Sequence, residues 1–170
     1  MVNFGEYLEE NKDLEWSEYY IDYNQSKILL QEIIDMKPDS FKIFTKFLDK
    51  EWMRYYNFVN QKIYELNNLE VNKELMIEII RVNQFINLNQ EGIRKLIKKH
   101  DKNSNKIKLL PSWHWKVYYN PRNKLFGIIK TISNLYNNEL EEKNSEIDNS
   151  NFNRKSIKYW VKKSNVLPLI

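Results

Sequence analysis

An all-α fold is what this sequence predicts, and three observations predict it. Only 3 glycines and 4 prolines interrupt 170 residues, so long unbroken helices are the natural expectation. Apolar residues recur at steps of three and four over long stretches, the period of an amphipathic helix. No segment alternates apolar and polar residues for the length of a strand. A hydrophobic content of 42% with 14% aromatics supplies a core and sets the chain among folded sequences. Its length suits one compact domain.

The elements follow in order. From about Leu14 to Asp35, the residues Trp16, Tyr19, Tyr20, Tyr23, Leu30, Ile33 and Ile34 make a broad helical stripe. Lys37-Pro38-Asp39-Ser40 reads as a stop, a turn and an N-cap, with Asp39 or Ser40 as the cap. Phe41, Phe44, Leu48, Trp52, Tyr55, Val59, Ile63 and Leu66 then define one helix of nearly eight turns. Asn67-Asn68 breaks it. Val71, Leu75, Ile79, Val82, Phe85, Ile86, Ile93, Leu96 and Ile97 define a second long helix to about His100, with a loop from Asp101 to Asn105. Each spans roughly 40–45 Å at about 1.5 Å per residue, and the short connection makes them antiparallel neighbours. Pro111 to Tyr119, rich in Trp and Tyr, reads as a short helix or buried connector. Leu125, Phe126, Ile128, Ile129, Ile132, Leu135 and Tyr136 form a helix that can close a bundle. Residues 139–151 read as an acidic linker, and residues 152–170 are too short for a domain.

Charge is divided unevenly. Residues 1–92 carry 10 Lys and Arg against 17 Asp and Glu, a balance of −7, whereas residues 93–170 carry 17 against 6, a balance of +11. Arg94, Lys95, Lys98, Lys99, Lys102, Lys106 and Lys108 crowd into sixteen residues with one anion, Asp101. On a helix, Lys95, Lys98, Lys99 and Lys102 fall at i, i+3, i+4 and i+7 and share an arc of about 100°. Ile93, Leu96, Ile97 and His100 fall opposite. One face is therefore buried while four mutually repelling ammonium groups stand on the other. Such a face suits an anionic partner: a polyphosphorylated small molecule, acidic lipid or a nucleic-acid backbone. The plainer reading is a solvated surface. No groove-reading motif, zinc module or sheet aromatics of the RNA-binding type is present in the sequence, so no nucleic acid is expected.

Other chemistries are excluded by composition. Zero cysteines remove disulfides, thiol catalysis and cysteine-bound zinc. Two histidines, His100 and His114, are too few for a multi-histidine metal site. Three glycines leave no Gly-rich phosphate loop. No run approaches the roughly 18 apolar residues of a membrane span, and no signal peptide opens the chain; the expectation is a soluble, intracellular protein.

The chain resembles an SPX domain, the cytosolic phosphate-sensing module of polyphosphate polymerases, phosphate exporters and related regulators. The matching segments are Phe4-Gly5-Glu6-Tyr7-Leu8, then Trp16 through Tyr20-Ile21-Asp22-Tyr23, and Phe47-Leu48-Asp49-Lys50-Glu51. The most specific is Leu88-Asn89-Gln90-Glu91-Gly92-Ile93-Arg94-Lys95-Leu96-Ile97-Lys98-Lys99-His100-Asp101-Lys102. The resemblance covers residues 1–138. It implies an N-terminal helical hairpin packed on a three-helix bundle with two long antiparallel helices. It implies ligands too, inositol hexakisphosphate or inositol pyrophosphates, with no cofactor, no metal and no catalytic residue. By motif, the family's phosphate-binding tyrosine and lysines fall on Tyr23, Lys27 and Lys95, and the adjoining lysine cluster on Lys98, Lys99 and Lys102. Departures stand at Asn3, where the family's N-terminal lysine is missing or displaced, at Asn24 and Ser26 in place of a commoner Lys and Leu, and at Ile93 in place of Phe. The loss of nearby cations predicts weaker binding than in a typical member.

Residues 152–170, with Lys158-Tyr159-Trp160-Val161, look like the first strand of the tunnel-shaped catalytic domain that follows SPX in vacuolar transporter chaperone polyphosphate polymerases. The rest of such a tunnel has no room in 170 residues, so the chain is not expected to be an enzyme on its own. The implied partners are inositol polyphosphates and a phosphate-homeostasis protein or vacuolar transporter chaperone-like subunits. The implied location is the cytoplasm, with the cytosolic face of a vacuole-type organelle as one placement.

Overall fold

The computed structural model describes residues 3–70, 72–104, 107–118 and 123–134. Those residues are helical with connecting turns, and no strand occurs among them. Helix α1 spans Phe4–Asn11, α2 Tyr23–Ile34, α3 Ser40–Asn67, α4 Lys73–Asn103 and α5 Leu110–Tyr118. A further helix, α6, covers residues 123–134. One compact unit spans Met1–Ile132, and a second spans Ser133–Ile170. The expected domain end at 138, the linker at 139–151 and the tail at 152–170, Lys158 included, lie outside the described residues.

The two long helices are antiparallel, as their ring contacts require: Phe44 stacks with His100, and Phe58 meets Phe85 edge-on at 5.1 Å. Their stripes bury Phe44, Leu48, Tyr55, Val59 and Leu66 against Leu75, Val82, Phe85, Ile86, Ile93 and Ile97. Burial of each large apolar side chain contributes about 1.5–3 kcal/mol. After α4, the chain returns along α3. Lys116 of α5 pairs with Asp49 at 2.8 Å, and Lys124 of α6 donates to Asn60 Oδ1 at 2.8 Å. Leu109, Trp113, Val117, Leu125 and Ile128 are buried on this return, which completes a three-helix bundle. Trp115 is exposed, so the aromatic segment is divided between core and surface.

The stripe from Leu14 to Asp35 is not one helix. It divides into a single 3-10 turn at Ser17–Tyr19, an extended stretch, and α2. The cause is a set of buried polar groups that claim the backbone of residues 20–22. Asn89, fully buried on α4, accepts from Ile21 N–H at 2.8 Å. Buried Glu51 of α3 accepts from Asp22 N–H at 2.6 Å, and Arg54 donates to the Tyr20 carbonyl at 2.7 Å. Helical hydrogen bonds there would leave those groups unsatisfied, which costs about 1–3 kcal/mol each. Trp16, Tyr19 and Tyr20 still enter the core, against Phe58 and Phe85.

The other boundaries have local causes. Helix α2 ends in a Schellman turn: Met36 has φ 56°, its N–H donates to Ile33 O, and Lys37 N–H donates to Glu32 O. Asp39 holds the N-cap position of α3 but in the left-handed region, without a side-chain hydrogen bond. Helix α4 runs past His100 to Asn103, so Asp101 is helical rather than in a loop.

Candidate functional site

The site is built where the starts of α1 and α2 meet the last three turns of α4. Asn3 caps α1, its Oδ1 accepting from Gly5 N–H at 3.1 Å. Asp22 caps α2 by accepting from Gln25 N–H at 2.8 Å. The Phe4 and Tyr23 rings pack edge-to-face at 5.0 Å. Gly92 permits the approach to α4, because a Cβ there would stand 2.5 Å from Ile21 Cδ1 and 3.3 Å from Phe4 Cε1. Two helix N-termini, each with partial positive charge, thus converge beside a basic helix.

Lys27 and Lys95 flank the aromatic pair. Lys27 Nζ lies 5.9 Å from the Tyr23 ring centroid, and Lys95 Nζ lies 5.2 Å from the Phe4 ring centroid. Tyr23 and Lys27, one turn apart on α2, and Lys95 of α4, about seventy residues later in the chain, are thus linked through the Phe4–Tyr23 pair. Burial first, and the nearby Glu91 charge second, push the Tyr23 phenol above its ordinary value. It stays a neutral O–H donor at physiological pH.

Lys98, Lys99 and Lys102 continue along α4 and are exposed. Among the described residues, no carboxylate lies within 4.0 Å of Lys27, Lys98, Lys99 or Lys102. Of the five lysines, Lys95 alone has a carboxylate within that distance, Glu91 Oε1 at 3.6 Å. The arrangement offers five ammonium groups and one phenol to an anion.

The lysine-rich motif has two tasks. While its lysines face outward, His100 is 1% exposed, stacked on Phe44 and placed 2.8 Å from Asp101 Oδ1. Asp101 also accepts from Leu109 N–H at 2.8 Å and Leu110 N–H at 3.0 Å, fixing the start of α5. Burial raises the Asp101 carboxyl, but the His100 contact and the two N–H donors outweigh it and hold the group below the usual carboxylate range.

Two residues of the site escape sequence reading. In the sequence, Phe4 and Glu91 stand only as members of the Phe4–Leu8 and Leu88–Lys102 motifs, with no role attached to either. Asn3 is now accounted for as a helix cap, and Ser26 is a buried residue whose hydroxyl donates to the Asp22 carbonyl at 2.7 Å. Among the described residues, no cluster of three His, Cys, Asp or Glu could hold a metal, and no helix is long and apolar enough to cross a membrane.

Comparison with known proteins finds this helical fold elsewhere. The SPX domain of Chaetomium thermophilum glycerophosphodiester phosphodiesterase 1, solved in complex with inositol hexakisphosphate, superposes with a TM-score of 0.58 at 20% identity, over 78% of this chain and 98% of that one. In sequence, SPX domain-containing membrane proteins of Oryza sativa, subspecies indica and japonica, are 27% identical over 135 residues, covering 60% of this chain and 19% of the relative. The chain thus spans about a fifth of the length of the curated relatives it matches. No family model matches it. The described residues of the first unit share the helical fold of that SPX domain.

Proposed function

We propose that this chain is a non-enzymatic sensor domain that binds inositol polyphosphates, inositol hexakisphosphate or a pyrophosphate, on the face formed by Tyr23, Lys27, Lys95, Lys98, Lys99 and Lys102. The observation that carries this reading is that Lys27 and Lys95 each lie over one ring of the packed Phe4–Tyr23 pair. The hexakisphosphate bound by the C. thermophilum domain supports it. Each charge-assisted hydrogen bond to a phosphate contributes roughly 1.5–3 kcal/mol. Ligand charge also relieves repulsion among the lysines. Compact ammonium groups suit a crowded phosphate ring, since they approach from any direction, whereas guanidinium prefers one planar geometry.

Because Tyr23 and Lys27 belong to α2 and the other lysines to α4, a ligand held by both ties the N-terminal helices to the bundle. That is a route to regulation: bound and free forms present different surfaces to an attached or partner protein. We place that protein in phosphate or polyphosphate homeostasis, with vacuolar transporter chaperone-like subunits as candidates, in the cytoplasm or at the cytosolic face of a vacuole-type organelle. Lys158-Tyr159-Trp160-Val161 favours a second form of the same reading, in which the chain is the regulatory front of a polyphosphate polymerase subunit.

Calorimetry decides the ligand. Inositol hexakisphosphate should bind with micromolar or tighter affinity, about −8 kcal/mol, and weaken steeply with salt. Lys95→Ala and Lys99→Ala should each reduce affinity, and duplex or single-stranded DNA should bind more weakly at physiological ionic strength. Unchanged affinity in both variants, or preference for nucleic acid, refutes the proposal.

A further inference from the structure

A carboxylate stands inside the cationic face. Glu91 lies one turn before Lys95 on α4, and both of its oxygens are engaged by Arg94, from Nε at 2.7 Å and Nη2 at 2.8 Å. Lys95 Nζ stops 3.6 Å away, beyond hydrogen-bonding distance. The Glu91 charge also reaches across to Tyr23 on α2. A fixed negative charge is therefore present where the neighbouring groups would receive phosphate.

We propose that Glu91 is an affinity- and specificity-determining residue of this face: a built-in anion that competes with ligand phosphate for Lys95 and repels the phosphates beside it. The inference rests on the reading of the face as an inositol polyphosphate site. Arg94 grips Glu91 in a bidentate fork, the geometry guanidinium favours. Lys95 is held only loosely, on a flexible four-carbon stem. When Lys95 turns to a phosphate, Arg94 keeps the carboxylate where it was, so its repulsion persists in the complex. The face is weakened rather than blocked. Coulomb repulsion grows with ligand charge, so Glu91 disfavours a pyrophosphate more than the hexakisphosphate.

The test is a calorimetric titration of the full chain with inositol hexakisphosphate and with a diphosphorylated inositol pyrophosphate, for the wild type, Glu91→Gln and Glu74→Gln. Glu74 lies about 25 Å along the same helix, beyond the roughly 8 Å screening length at physiological salt; its replacement makes the same change in net charge. Glu91→Gln should tighten hexakisphosphate binding about three- to tenfold, with a larger gain for the pyrophosphate. Glu74→Gln should change either affinity less than about twofold. In a Lys95→Ala background, the gain from Glu91→Gln should shrink. Melting curves check folding, and Glu91→Ser serves as the neutral variant if the glutamine variant does not fold. A folded neutral variant that binds no more tightly than a binding wild type overturns the role of Glu91 alone. A wild type that binds neither ligand overturns the site and this role together.

Discussion

At the residue scale, buried polar groups determine the shape of the N-terminal region. Asn89 is completely buried, takes the Ile21 N–H at 2.8 Å and donates to the Phe85 carbonyl at 2.8 Å. Replacing it with alanine leaves the Ile21 donor orphaned and opens a void. Asn89→Ala should therefore destabilise the domain by about 2–3 kcal/mol, read from urea unfolding. A loss below half a kcal/mol would mean that residues 20–22 are held by something else. This is also where periodicity misled: Trp16, Tyr19, Tyr20 and Tyr23 do repeat as a helix would, and all four are core or near-core residues. Apolar spacing records which side chains are buried, but not that Asn89, Glu51 and Arg54 take the backbone hydrogen bonds for themselves. Those partners lie about thirty to seventy positions away.

At the scale of the element, α4 serves core, site and connection at once. Its apolar stripe and its lysine arc were legible because both obey the 3.6-residue period. The role of Asp101 was not, since its partners Leu109 and Leu110 depend on how the chain turns after the helix. Its carboxyl is held below the ordinary range in the folded state. A depressed folded value contributes stability that is present above the unfolded value, near pH 4, and lost as pH falls through the folded value. Asp101→Asn should accordingly be less stable than wild type by about 1–3 kcal/mol at pH 7. The gap should close progressively below about pH 4. Thermal melts of both proteins from pH 7 to pH 2.5 measure it, and a gap independent of pH would contradict the assignment.

At the scale of the molecule, the cationic end of α4 receives the N-termini of α1 and α2. The all-α class, the two long antiparallel helices and the returning short helices could be read from residue spacing alone. The placement of Lys27 and Lys95 over the two rings of the Phe4–Tyr23 pair could not. It depends on Gly92 admitting Ile21 and Phe4 against the helix, a packing fact with no periodic trace, and only likeness to a known family pointed to it. The central claim is that Lys27 and Lys95 grip one ligand from two helices. A double-mutant cycle measured by calorimetry with inositol hexakisphosphate tests it most directly. Lys27→Ala and Lys95→Ala should each weaken binding about tenfold or more, and the double variant should lose less than the two losses combined, because each lysine works best with the other in place. Either single variant binding as tightly as wild type would contradict the account.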